Sequence, residues 1–132
     1  MAETRALVAG AASGIALVLD EPLSFWGGLD AGTGRVIDVR HPQVGADLSG
    51  RVLLLPSGRG SSSSSSVLAE AIRSGAGPAA IIMREPDPIV ALGAIVAREL
   101  YGVTVPVLVL EPDAYAEIVD GQPLAISGNK VR

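Results

Sequence analysis

Six consecutive serines, Ser61 to Ser66, follow the segment Pro56-Ser57-Gly58-Arg59-Gly60. This stretch carries the densest chemistry in the chain. Just before it, Arg51-Val52-Leu53-Leu54-Leu55 is a short apolar run bounded by Gly50 and Pro56, the pattern of a buried strand. Just after it, Val67, Leu68, Ala71 and Ile72 fall on one face of a helix expected over 64–73, and Gly75 and Gly77 stop that helix. A glycine-rich turn that runs into a helix N-terminus is an anion site. Backbone N–H groups converge there, and the helix end carries about half a positive charge. Gly58 and Gly60 allow close approach of a ligand, Arg59 adds a charge-assisted contact, and the hydroxyls add donors. A serine-rich linker is the competing reading, but a linker does not sit between a strand and an amphipathic helix. Two phosphate motifs fail: the P-loop needs Gly-Lys-Ser/Thr, and the dinucleotide fingerprint needs a glycine where Ser63 stands. The residues therefore specify an anion-binding turn without naming its ligand.

The elements that must hold this turn are legible on both sides. Ala79 to Met83 reads as a second buried strand. Asp87-Pro88 opens a helix, with the carboxylate at the N-cap and proline at the first helical position, and Ile89, Leu92, Val96 and Leu100 continue it to Gly102. Val103 to Leu110 is a third strand, with Pro106 marking an edge or a strand start. A short helix over 114–119 and a last strand over 124–127 complete this part. The first third reads as strands without helices, at 7–11, 15–20 and 35–39, with a turn-rich loop Phe25-Trp26-Gly27-Gly28-Leu29-Asp30 between the latter two. The expectation is one α/β domain over 1–132, N-terminal strands followed by a β-α-β-α-β unit.

Composition removes several classes of function. Aromatic residues are 3% of the chain and hydrophobic residues 48%, so Ala, Val, Ile and Leu fill the core, and few rings are left to stack bases. The net charge is −4 without a basic cluster, which argues against nucleic acid as a partner. There is no cysteine and one histidine, His41, so thiolate zinc sites and iron–sulfur ligation are excluded for this chain. Arg5 and the apolar stretch Ala6 to Leu19 imitate a leader peptide, but Gly10, Ser13 and Gly14 interrupt it; the reading is two strands of a cytoplasmic protein with no membrane partner. His41 reads as structural or partner-facing in preference to a phosphorylated residue. Trp26 fits a core plug and a partner-facing side chain equally. The acidic pairs Glu85/Asp87 and Glu111/Asp113 each flank a proline and read as helix caps.

Longer-range similarity adds to this reading. The runs Pro22-Leu23-Ser24-Phe25-Trp26-Gly27-Gly28, Asp30, Thr33-Gly34, Ile37-Asp38, His41-Pro42 and Gly45 resemble the aconitase X small subunit. So do Leu55-Pro56-Ser57-Gly58-Arg59-Gly60-Ser61-Ser62-Ser63 and Leu92-Gly93-Ala94-Ile95-Val96-Ala97. The resemblance implies a swivelling β/β/α domain similar to the fourth domain of aconitase, in which a serine at the turn removes a proton from the carbon beside a carboxylate. Gly60-Ser61-Ser62 matches the aconitase Gly-Ser-Ser, which puts the base at Ser61, with Ser62 the alternative, and substrate contacts at Arg59, Gly60 and Ser63. Aconitase has a substrate-binding arginine where this chain has Ser63, so the anionic groups of the substrate differ.

A serine alkoxide requires a positive environment, which the helix end, neighbouring N–H groups and Arg59 supply. Loss of hydroxide from the β-carbon requires a general acid or a Lewis acid. This chain binds no metal on the present reading, so a metal or an iron–sulfur cluster is expected on a large subunit. Bacterial members of the family resemble cis-3-hydroxy-L-proline dehydratases and archaeal members resemble mevalonate 5-phosphate dehydratases. The abundance of Ala, Gly and Arg over Lys favours the former. A non-catalytic anion-binding or carrier module is the alternative of another class, and a purely structural subunit is a third.

Overall fold

The computed structural model describes residues 4–59 and 62–132. A seven-stranded sheet runs in the order β1-β5-β4-β3-β2-β6-β7, with β1 Thr4–Val8, β2 Ala11–Val18, β3 Val52–Leu55, β4 Ala80–Met83, β5 Val107–Leu110, β6 Pro123–Ser127 and β7 Lys130–Val131. The four central strands β2, β3, β4 and β5 are parallel, while β1, β6 and β7 pair antiparallel to their neighbours. β2 serves two layers: Ala11 to Ile15 pair with β6, and Ala16 to Val18 pair with β3. The expected α/β class and strand-first order therefore hold.

The central strands read as unbroken apolar runs because both of their faces are covered. Leu53, Leu55, Ile81, Met83 and Val107 pack under two helices, α2 (Ser63–Arg73) and α3 (Pro88–Tyr101). Val52, Leu54, Ile82 and Leu108 pack on the other side with Leu124 and Ile126 of β6 and with Tyr115 of α4 (Pro112–Ala116). This gives two β layers and one α layer. The helices α2 and α3 approach closely at Gly93, where a Cβ would stand 3.0 Å from both the Ser65 carbonyl and Leu68 Cδ2. The helix signals read from sequence hold for α3: Asp87 Oδ1 accepts from the Ile89 and Val90 amides at 2.9 and 3.4 Å, and Gly102 closes the helix at φ 68°. At α4, Glu111 occupies the N-cap position without a side-chain capping bond.

Several expectations need correction. β1 and β2 begin three to four residues earlier than the apolar runs suggested. Residues 35–39 form no strand. Isolated bridges join Leu29 to Val36 and Arg35 to Asp47, and the Asp30 carboxylate bends the preceding chain by accepting the Gly32 amide at 2.8 Å. The third predicted strand keeps only Val107–Leu110, because the left-handed Gly102 and Pro106 hold the chain outside the ladder before it. That strand lies between β1 and β4 and is not an edge; Pro106 marks its start. The last helix begins at Pro112 instead of Ala114, and β7 carries too few residues to show a period. Among the described residues no helix is long and apolar enough to cross a membrane.

Candidate active site

The ends of the parallel strands bring four connections to one edge of the sheet: Leu19–Ser24 after β2, Pro56–Arg59 after β3, Arg84–Asp87 after β4 and Glu111 after β5. In open parallel sheets this C-terminal edge is where ligands bind. The turn after β3 is tied into it by its backbone. Leu23 and Gly58 form a parallel bridge, and the Arg59 amide donates to the Leu23 carbonyl at 3.1 Å. Gly58 is required there, since a Cβ would collide with the Asp87 carboxylate and approach Val90 Cγ2 to 2.7 Å. Ser57 Oγ donates to the Gly58 carbonyl at 3.0 Å.

The serine run divides by role. Ser64 and Ser65 are buried and their hydroxyls are engaged: Ser65 Oγ donates to the Ile89 carbonyl at 2.7 Å, joining α2 to α3, and Ser64 Oγ accepts from the Trp26 amide at 3.2 Å. Ser62, Ser63 and Ser66 are exposed. Ser62 takes the N-cap place of α2 with helical dihedrals (φ −58°, ψ −21°) and makes no side-chain capping bond. Its hydroxyl therefore satisfies none of the first amides of α2. Gly60 and Ser61, named from sequence as a binding residue and the base, lie outside the described residues.

A distorted single turn, α1 (Phe25–Gly28), seals the other side of this helix end. Trp26 (ψ 118°) and Gly27 (φ 78°) leave helical geometry within it. Phe25 is the core plug of the segment, and Trp26 is 62% exposed, which settles the two readings of that indole against a core role. Together with Arg59, the turn lines a cleft of about 310 Å³ whose third wall is Glu21, Asp38, Arg40 and His41. A wider groove of about 1160 Å³ opens over Val109, Leu110 and Leu124, but it contains none of the turn residues. The smaller cleft is the candidate site because Arg59 of the turn after β3 lines it.

His41 is structural. Its Nδ1 accepts the Gln43 amide at 3.0 Å, so the proton sits on Nε2, which donates to the Glu21 carbonyl at 3.2 Å. Both ring nitrogens are thereby spent on holding the 38–45 loop against the residues after β2. Asp38 likewise uses Oδ1 to accept the Arg40 amide at 2.9 Å. Of the residues named from sequence, Arg59 lines the cleft, and Ser62 and Ser63 stand exposed at the start of α2. Sequence reasoning missed Glu21, Asp38 and Arg40 as cleft residues. Asp38 and His41 carried a resemblance signal, whereas Arg40 carried none.

The aconitase X swivel-domain family model matches residues 1–132. Cis-3-hydroxy-L-proline dehydratase of Pseudomonas aeruginosa is 52% identical over 125 residues, covering 89% of this chain and 22% of that protein. The phosphomevalonate dehydratase small subunit of Methanothermobacter thermautotrophicus is 47% identical over 95 residues, 72% of each chain. The chain thus spans about a fifth of the first relative and most of the second. Among solved structures, Thermococcus kodakaraensis aconitase X in its holo form superposes with a TM-score of 0.88 at 30% identity, covering 99% of this chain and 95% of that one.

Proposed function

Because the chain belongs to the aconitase X swivel-domain family, we propose that it is the small component of a hydro-lyase that dehydrates a small hydroxy-carboxylate. The substrate is cis-3-hydroxy-L-proline, as in the name of the 52%-identical relative, and the enzyme acts in the cytoplasm. The observations that support this reading are a small polar cleft at the C-terminal edge of the sheet, lined by Arg59 and the turn at Trp26, and the exposed start of α2 at Ser62 and Ser63, tied to that turn through Ser64.

In this reading Arg59 holds the carboxylate, and a serine at the mouth of α2, Ser61 or Ser62, takes the α-proton. Gly60 and Ser63 supply further contacts. The positive end of α2 and the Arg59 guanidinium stabilise the serine oxyanion. The C–H bond breaks toward the serine oxygen, the electron pair forms the carbon–carbon double bond, and hydroxide leaves the β-carbon. Lewis-acid assistance to hydroxide departure is the chemistry that a metal or iron–sulfur cluster on a large partner would supply. The donors of this chain do not fit such a group. It has no cysteine, its one histidine has both ring nitrogens occupied, and among the described residues no three His, Cys, Asp or Glu side chains converge. The chain is therefore active only with that partner, and the catalytic cleft closes between the two.

Mevalonate 5-phosphate is the second substrate reading, carried by the name of the 47%-identical small subunit. Assay of the assembled complex with each compound separates them: dehydration of cis-3-hydroxy-L-proline is expected, and turnover of the phosphate ester alone would replace the first reading with the second. Turnover of neither would favour an anion-binding or carrier module.

A further inference from the structure

The cleft holds four charged side chains that the fold does not pair with one another. Arg59 reaches it from the turn after β3, and Arg40 from the loop that His41 anchors, while Glu21 and Asp38 line the same space. Among the described residues the ion pairs are Arg73–Glu70 and Arg98–Glu99, both elsewhere, so neither cleft guanidinium is neutralised by a cleft carboxylate. Backbone bonds hold these residues in place. His41 binds the Glu21 carbonyl, and Asp38 binds the Arg40 amide through one carboxylate oxygen, the other making no hydrogen bond among the described residues. The charged ends of the four make no ion pair among the described residues.

Two guanidinium groups and two carboxylates give the cleft a formal charge of zero. A receptor for a phosphate ester gathers cations and keeps carboxylates away, because an anion beside the phosphate costs what a cation gains. A balanced cleft of about 310 Å³ suits a small ligand that carries both signs. Building on the dehydratase reading, we infer that the cleft selects a zwitterionic amino acid. Its carboxylate lies toward Arg59 and Arg40 and its ammonium toward Glu21 and Asp38. Arg40 and Glu21 are then specificity-determining residues.

Trp26 is the only tryptophan and lines the cleft, so its indole N–H resonance reports occupancy directly. The full chain, free and bound to its partner, is titrated with L-proline, N-acetyl-L-proline (which has lost the cation) and inorganic phosphate. L-proline is expected to shift the Trp26 signal saturably, with the other two binding about tenfold more weakly. In the assembled enzyme, Arg40→Gln and Glu21→Gln each raise KM for cis-3-hydroxy-L-proline about tenfold with kcat within a factor of two, and Arg40→Lys restores part of the loss. Equal or tighter binding of phosphate or N-acetyl-L-proline, no Trp26 shift with L-proline in either state, or an unchanged KM in both Gln variants overturns the inference and leaves these four residues as solvated surface charges. Failure of the dehydratase reading looks different. A complex that turns over neither substrate removes that reading, and the L-proline titration still decides the inference. A complex that prefers mevalonate 5-phosphate keeps dehydration and removes the zwitterion.

Discussion

Ser64 Oγ accepts the Trp26 backbone N–H at 3.2 Å, and this bond joins the Phe-Trp-Gly-Gly turn to the first turn of α2 across nearly forty residues of chain. Ser24 Oγ lies 3.5 Å from the same hydroxyl and donates to the Trp26 carbonyl at 2.9 Å. The Trp26 wall of the cleft is therefore fixed on α2 by backbone and hydroxyl groups before any ligand arrives. This is the preorganisation that an active site needs.

Ser64→Ala should destabilise the chain by about 1 kcal/mol, since it leaves the Trp26 amide without its partner, and should move the Trp26 indole resonance. Ser66→Ala, at an exposed position of the same run, should stay within about 0.5 kcal/mol of the parent. Denaturant unfolding of the two variants checks the contrast. Equal effects would mean that the serines are interchangeable, as in a linker.

Gly58→Ala should cost about 1–3 kcal/mol, because its methyl would press on both the Asp87 carboxylate and Val90. The Asp87 cap of α3 and the path of Arg59 share that contact, so the variant should also lose affinity for substrate. Thermal unfolding together with KM of the assembled enzyme tests both halves.

Tyr115 gives a prediction in alkaline solution. Its ring is buried, its hydroxyl has no hydrogen-bond partner among the described residues, and burial, with Arg84 opposing and Asp20 adding a smaller push, brings the phenol up to about 12. The folded chain thus keeps a proton that the unfolded chain releases above about pH 10. Stability contributed by the neutral phenol is full below that pH and falls as the pH rises from about 10 toward 12, by at most about 3 kcal/mol. Tyr115→Phe should abolish this group's share of the alkaline loss and leave stability near pH 7 unchanged or up to about 1 kcal/mol higher. Urea unfolding at pH 7, 10 and 11.5 measures it, and a parallel decline in both proteins would contradict the assignment.

How much of this was legible in the sequence follows from the range of each signal. Asp87-Pro88 and Gly102 announced α3 correctly because a cap, a proline and a left-handed glycine act within a few residues. The buried strands β3 and β4 were equally plain, since unbroken apolar runs have few alternatives. Residues 35–39 misled because alternating side chains describe a strand only where a neighbour completes the ladder, and here the partners are scattered loop residues. Within the serine run, composition placed the helix start but not the division between inward Ser64 and Ser65 and outward Ser62 and Ser63, which depends on where α1 and α3 pack. Arg40 illustrates the limit: an exposed arginine before His-Pro has no local signature of a site, and long-range bonds from His41 to the Glu21 carbonyl, from the Asp20 amide to Gln43 and from the Ile37 amide to Gly28 bring its loop to the cleft.

The central claim is that a hydroxyl at the mouth of α2 acts as the base. Turnover of cis-3-hydroxy-L-proline by the assembled enzyme, measured for Ser61→Ala and Ser62→Ala with subunit association followed in parallel, tests it most directly. One of the two variants should lose activity by at least about a hundredfold while binding its partner as the parent does, in line with loss of a positioned general base. Activity within a few-fold of the parent in both, and in the double variant, would contradict the account.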